Sequence, residues 1–230
     1  MKIEKIITWL DRTLKVADFD DVSNNGLQVG REEGRGKREE VKVVAFAVDA
    51  SVRAVEAAAK AGAQLLVVHH GISWGGGIKR LTGGVGDVVR AAMRTNLAIA
   101  AYHLPLDAHP KLGNNAQLAK YFGLKKVRPA FSYHGNMIGV TGENRHGKLV
   151  GICSGGAGEF AEEAKNLGCD LYLTGEASWG DVIAAENCGM KMICAGHYET
   201  EVFGVRALSK ALKKALKVKA VDLTERLRKI

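Results

Sequence analysis

Residues Asp87–Asp107 read DVVRAAMRTNLAIAAYHLPLD, and residues Asp181–Glu201 read DVIAAENCGMKMICAGHYETE. Laid together without a gap, Asp87 falls on Asp181, His103 on His197 and Asp107 on Glu201, each pair 94 positions apart (197 − 103 = 94). Each stretch reads as a helix, then a short apolar strand, then His-x-x-x-acid. A structural repeat accounts for the matching apolar positions. It does not require an imidazole and a carboxylate at the end of both strands. That pair is the donor set of zinc, iron, manganese and nickel sites. The repeat predicts an α/β fold of two similar halves with mainly parallel sheets and a metal site between the halves.

The alignment extends upstream at a different offset. Gly62-Ala-Gln-Leu-Leu-Val-Val matches Gly168-Cys-Asp-Leu-Tyr-Leu-Thr, 106 positions apart (168 − 62 = 106). The offset therefore falls by 12 (106 − 94 = 12), at the loop Trp74–Gly86, which has only a stub, Ala177–Gly180, in the second half. Around these segments helix and strand patterns alternate. Helices are expected at Ile3–Val16, Ser51–Ala61, Asp87–Thr95, Glu159–Asn166 and Val205–Leu216. Strands are expected at Val41–Val48, Leu65–Val68, Leu97–Ala101, Leu149–Cys153 and Leu171–Thr174. Ser51 suits an N-cap and Gly62 a helix stop. Asn24-Asn25-Gly26 reads as a turn and Arg31–Glu40 as a charged loop. Alternation of this kind favours parallel pairing. We place the halves at 1–125 and 126–230, forming one compact unit.

The chain has 230 residues, 47% of them hydrophobic, enough for a large core. Apolar runs such as Leu65–Val68 are too short to span a bilayer, and Met1 leads into an amphipathic helix rather than a signal peptide. A cytoplasmic protein without a membrane partner is expected. Cys153, Cys169, Cys188 and Cys194 show no C-x-x-C spacing and read as reduced and structural. Formal charge is +8, of which residues 210–230 carry +6 (eight basic minus two acidic). A solvated helix face and tail explains that run; a nucleic-acid or anion patch is the other reading. No aromatic residues interleave there, so base stacking has little support.

In open α/β sheets ligands bind outside the carboxyl ends of the strands. His69, His70, His103, Asp107, Glu176, His197 and Glu201 all sit at such ends. Consecutive strand residues point to opposite faces, so His69 and His70 converge only where the strand is ending, or else serve two ions. A helical turn starting at His197 would put Glu201 beside it, since i and i+4 are neighbours. Pro105 disfavours helix at the residue before it, leaving Asp107 to reach the metal on its own with His103 behind it. A single histidine at a strand end is usually structural. Imidazoles and carboxylates sharing one cleft are costly unless paired or bound to cations. Carboxylates able to bridge suit two ions about 3.5 Å apart.

Weaker motifs were weighed too. Ser154-Gly155-Gly156-Ala157-Gly158 follows a strand and precedes a helix. Its backbone N–H groups suit an anion, or it is simply a tight turn. Gly113-Asn114-Asn115 reads as turn and cap chemistry. His134 and His146 have no motif around them. His109 suits a proton shuttle or a solvated loop.

Five ordered blocks resemble one family. They are Val68-His69-His70-Gly71; His103-Leu-Pro-Leu-Asp107-Ala-His109 with Gly113-Asn114-Asn115; Thr174-Gly175-Glu176; Gly196-His197-Tyr-Glu-Thr-Glu201; and Cys153-Ser154-Gly155-Gly156. Asn25–Gly30 adds an N-terminal block. The pattern resembles the Nif-three-like family, whose members are also described as dinuclear metal-centre proteins and GTP cyclohydrolase I type 2 homologues. The resemblance implies two α/β halves, metal held between them and a ring-shaped homohexamer. It implies His69, His70, Asp107, His197 and Glu201 as metal residues. One departure follows Glu176: many members have a histidine nearby, where this chain has Ala177-Ser178-Trp179. The long central insertion of some members is also missing.

The function expected is a metal-dependent hydrolase with two divalent ions (Zn, Fe, Mn or Ni). Its substrate would be a nucleotide or another phosphate-containing molecule. Glu176 is the candidate general base or orienting residue, with His103 as the alternative. The competing expectation is a non-catalytic metal scaffold or metal chaperone whose ring binds protein or nucleic acid. Closed coordination would favour the scaffold, and an open position the enzyme.

Overall fold

The computed structural model describes residues 1–31 and 40–227. The charged loop expected at Arg31–Glu40 lies, over 32–39, outside the described residues. In chain order the elements are α1 (Ile3–Leu14), β1 (Gly26–Val29), β2 (Val43–Asp49), α2 (Val52–Lys60), β3 (Leu65–His70), α3 (Gly83–Arg94), β4 (Ala98–Ala101), α4 (Leu104–Ala108) and α5 (Asn114–Tyr121). Then come β5 (Lys125–Tyr133), β6 (Asn136–Glu143), β7 (Leu149–Cys153), α6 (Ala161–Asn166), β8 (Leu171–Thr174), α7 (Trp179–Cys188), β9 (Met192–Cys194), α8 (His197–Leu216), β10 (Lys219–Asp222) and α9 (Thr224–Leu227).

The chain divides into two compact units, residues 1–105 with 205–230, and residues 106–204. The C-terminal residues, assigned to the second half from sequence, lie in the first unit because β10 pairs in parallel with β2, Lys219 opposite Val43. Sheet order in the first unit is β1-β4-β3-β2-β10. Its β4, β3 and β2 run parallel, and β1 closes one edge antiparallel. In β2, the five residues Val44–Val48 are all buried, as are all four residues of β4. Strands covered on both faces read as unbroken apolar runs, which is why alternation is missing from VVAFAV. Leu66, Val68 and Ile99 pack with Val55 of α2 and Val88 of α3. Burying each large aliphatic side chain of this kind stabilises the unit by about 1.5–3 kcal/mol. Ser51 caps α2 as expected, its hydroxyl accepting from Ala54 N–H at 3.1 Å.

The second unit carries the repeat. Its β7-α6-β8-α7-β9 run matches β2-α2-β3-α3-β4, with β7, β8 and β9 parallel. Sheet order is β5-β6-β7-β8-β9, and the β5–β6 hairpin adds two antiparallel pairings. The fold is thus α/β, two similar halves with mainly parallel sheets. The hairpin was not expected, because β5 exposes its first five residues and reads as polar. It turns at His134-Gly135, both at positive φ (46° and 79°), the geometry tight hairpins favour. Pro129 sits in this strand, which as an edge tolerates a residue that cannot donate to the ladder.

Two helices start earlier than expected, α3 at Gly83 rather than Asp87 and the long helix α8. α8 begins at His197 rather than Val205, because Gly196, at φ 96°, turns the chain straight from strand end into helix. Cys153 and Cys169 are buried, but Cys194 is exposed, unlike the core role expected of its apolar run. Burial pushes the Cys153 thiol well above its usual range, as suits an inert thiol. Among the described residues no helix is long and apolar enough to cross a membrane.

Candidate metal centre

In the first unit the ends of β3 and β4 bring three imidazoles together. The ring centroids of His69 and His70 lie 4.6 Å apart, those of His69 and His103 5.1 Å, and those of His70 and His103 5.7 Å. One ring nitrogen from each lies within 4.8 Å of the others. His69 and His70 are consecutive yet converge, because β3 ends at His70.

Each ring is held by an oxygen acceptor at Nδ1. His69 Nδ1 lies 2.9 Å from the Tyr102 carbonyl, His70 Nδ1 2.8 Å from Asp49 Oδ1, and His103 Nδ1 2.9 Å from Asp21 Oδ1. A carbonyl and a carboxylate can only accept, so Nδ1 carries the proton of each ring whenever that ring is neutral. Nε2 is then the lone-pair nitrogen. Metal-binding histidines are oriented in this manner by carboxylate and carbonyl partners. The donor set therefore fits a divalent metal.

Asp21 anchors this corner. Its side chain is 2% exposed and accepts from Ser23 N, Asn25 Nδ2 and Leu104 N besides His103. Burial works to raise its pKa, but the hydrogen bond and charge of His103, with the Asn25 and Ser23 bonds, outweigh it and hold the carboxyl below its usual range. Asn25 Oδ1 in turn accepts from His103 N at 2.7 Å. Asn25, expected only to turn the chain, thus fixes the backbone at His103.

In the second unit His197 opens α8, and its Nε2 lies 3.1 Å from Glu201 Oε1, four residues on. The i, i+4 expectation holds because the helix starts at the histidine. Glu176, at the end of β8, places Oε2 3.3 Å from His197 Nδ1. Glu201 is 3% exposed and Asp107 7%, and buried carboxylates are costly without cations or donors. Asp107 Oδ1 accepts from Asn114 Nδ2 at 2.8 Å and Ser154 Oγ at 3.0 Å.

The glycine loop after β7 proves to be a cradle for these side chains. Gly155 N donates to Thr200 Oγ1 and Ala157 N to Thr174 Oγ1. Those two N–H groups are committed to threonines and Ser154 N to Asn115 Oδ1, which favours the tight-turn reading of the loop over the anion reading. Gly155 sits at φ 71°, and a Cβ there would come within 2.5 Å of Glu201 Oε1. Only glycine allows that backbone to pass the carboxylate.

Asn114 and Asn115 are buried cross-links rather than surface caps. Asn114 Oδ1 accepts from Gly204 N at 2.7 Å, and Asn115 joins Ile138 O to Ser154 N. Asn114→Ala should cost about 2–3 kcal/mol of stability, because two buried partners lose a bond. Metal affinity should fall about 10–100-fold as Asp107 loosens. Denaturant midpoints and metal titration check both; wild-type values for each would refute the assignment. His109, read as shuttle or loop, accepts at Nδ1 from Lys111 N and Leu112 N, a turn-closing role.

The positions that sequence reasoning missed are Asp21 and Asp49, while Asn114 and Ser154 were expected only in turn, cap or loop roles. Asp49 carried a signal, since it ends β2 opposite His70 in register. Asp21 carried none, being 82 residues from its partner His103.

Comparison with known proteins identifies relatives of this chain along nearly its whole length. The chain is 37% identical over 250 residues to the Pyrococcus horikoshii "GTP cyclohydrolase 1 type 2 homolog", covering 96% of this chain and 97% of the relative. It is 38% identical over 235 residues to the Deinococcus radiodurans protein of the same name, covering 90% and 86%. A Thermus thermophilus crystal structure superposes with a TM-score of 0.79 at 29% identity, covering 97% of this chain and 98% of that one. The family model Duf34/NIF3 (NGG1p interacting factor 3) matches residues 1–147 and again 132–226. On that match and these relatives, the chain belongs to the Duf34/NIF3 family.

Proposed function

We propose that this protein is a metal-dependent hydrolase whose centre is dinuclear, held by His69, His70, Asp107, His197 and Glu201. Its substrate is a nucleotide or another phosphate-containing molecule. The observation that carries the reading is the set of three imidazoles, each turned by an oxygen acceptor so that Nε2 is the lone-pair nitrogen. When bound, divalent ions lower the pKa of a water and polarise the substrate. The chain's own groups do the rest. Asp49 and Asp21 keep His70 and His103 in the Nε2 lone-pair tautomer. Asn114 and Ser154 orient Asp107. Glu176 is 65% exposed at its side chain, so it faces solvent as well as His197 and is placed to accept a proton. His103, expected from sequence as the alternative base, is held at Nδ1 by Asp21, which leaves its Nε2 as the nitrogen able to accept a proton.

The relatives' name, GTP cyclohydrolase 1 type 2 homolog, makes GTP the first substrate to test. The test is metal analysis of freshly purified protein, then a hydrolysis screen of nucleotides with Zn, Fe, Mn and Ni restored. Metal-dependent turnover of a nucleotide is expected. Bound metal with no turnover under any condition would leave a metal-binding scaffold in its place.

We also propose a homo-oligomer, a hexamer by family resemblance. The exposure of Trp179 (76%) and Tyr121 (70%) supports association, since large aromatic rings at the surface mark contact sites. Light scattering should give a mass near six chains of 24.6 kDa. A single-chain mass at micromolar concentration would refute it.

A further inference from the structure

We propose that a concavity on the first unit, walled by Trp74, receives a planar nucleobase and is the base-recognition subsite of the centre. The proposal rests on the nucleotide-hydrolase reading above and deepens it. The concavity holds about 390 Å³, within the usual range for small-molecule sites. It lies at the carboxyl ends of β2 and β3, where ligands of open α/β sheets bind. Its walls are Ala50, Val52, Ile72, Trp74, Val85 and Val88, with the backbones of Gly71 and Gly84 completing the lining. The Ser51 hydroxyl there is committed to Ala54 N. An apolar slot of this kind suits a flat ring, not a phosphate.

Trp74 is 38% exposed but firmly held. Its Nε1 donates to Gly71 O at 3.0 Å, and its backbone bridges to Ser23. Gln28 Oε1 accepts from Ile72 N and Ser73 N, and Asn24 Nδ2 donates to Ser73 Oγ. The loop is therefore pre-set, which lowers the entropy lost on binding. The indole lies edge-on to His103 at 5.1 Å and 6.1 Å from His70. One side chain thus borders both the slot and the histidine cluster. A base stacked on it would hold its own ring beside the metal-binding nitrogens.

Gly84 is a second observation. It is the second residue of α3. Neither φ nor packing demands glycine: no φ in the left-handed range is found there, and a Cβ would meet nothing within 4 Å. Gly86, two residues on, is different, since a Cβ there would come within 2.4 Å of Leu81 O. Gly84 borders the slot, and its missing side chain leaves open space at that border. Asp87, also lining it, is paired through Oδ1 with Arg90 Nη2, so its Oδ2 is the oxygen left for a ring N–H or exocyclic amine.

The test is calorimetric titration of the metal-loaded protein with guanosine, which lacks phosphate, and with GTP. Trp74→Ala should weaken guanosine about 5–100-fold, the span of base–aromatic stacking. Trp74→Phe should restore most of it. Gly84→Leu adds a side chain to open space in a helix, so it should fold normally. It should cost about tenfold or more by filling the slot. All variants should keep wild-type metal content. Wild-type guanosine affinity in both Trp74→Ala and Gly84→Leu overturns the subsite, as does no guanosine binding by the wild type. If those variants also turn over GTP normally, the hydrolase reading survives and the subsite alone fails. If guanosine binds and both variants lose it while no nucleotide is hydrolysed, the subsite stands and the hydrolase reading fails.

Discussion

Glu201→Ala is expected to remove most of the bound metal, whereas His103→Ala leaves binding that is weaker but measurable. Glu201 is a carboxylate at 3% exposure, one helical turn from His197 and 3.1 Å from its Nε2. The backbone has made room for it: Gly155 takes a φ of 71° where a side chain would collide with Oε1. Removing the carboxylate deletes a charged donor and empties that cradle. His103 is the imidazole that the proposed ligand set leaves out, and its loss leaves His69 and His70 still oriented by Tyr102 and Asp49. Losses of orienting partners cost about 10–100-fold in affinity, whereas losing an anionic ligand costs more. Metal per chain after dialysis, measured by elemental analysis, decides. Circular dichroism on Glu201→Gln, close to isosteric, separates lost metal from lost fold. Equal metal loss in Glu201→Ala and His103→Ala would make His103 a direct ligand.

The ends of the strands were legible because two independent patterns coincide there. Apolar runs mark buried parallel strands, and the residue after such a run is where chemistry sits. That logic found His69, His70, His103, Glu176 and His197. Applied to β2 the same logic points to Asp49 as well. The oriented tautomers were not legible at all. Asp21 reaches His103 across 82 residues and Asn114 reaches Gly204 across 90, and no local period encodes such pairs. The β5–β6 hairpin failed for another reason: an edge strand that exposes Lys125, Lys126 and Arg128 protects itself from pairing with strangers by looking unlike a strand. The C-terminal strand β10 was missed similarly. Four residues with two partly buried carry too little apolar signal to compete with the helix before them.

Glu176→Gln should keep its metal and lose about 10²–10⁴-fold in turnover, the usual cost of removing a general base. The choice of glutamine is what makes the result interpretable. Glu176 Oε2 lies 3.3 Å from His197 Nδ1. An amide oxygen can accept that same N–H, so His197 keeps its tautomer and stays turned toward Glu201. What the amide cannot do is take a proton. Glu176→Ala removes both abilities, and the pair of variants therefore splits positioning from proton transfer. If Glu176 only positions His197, the glutamine variant should be nearly as active as wild type and the alanine variant should lose metal about 10–100-fold. If Glu176 is the base, both variants fall in rate, and the glutamine variant does so with full metal. Metal stoichiometry and nucleotide turnover on the same preparations give the answer. Unchanged turnover in both variants would take Glu176 out of the chemistry altogether. The base would then have to come from the solvent-facing edge of another group.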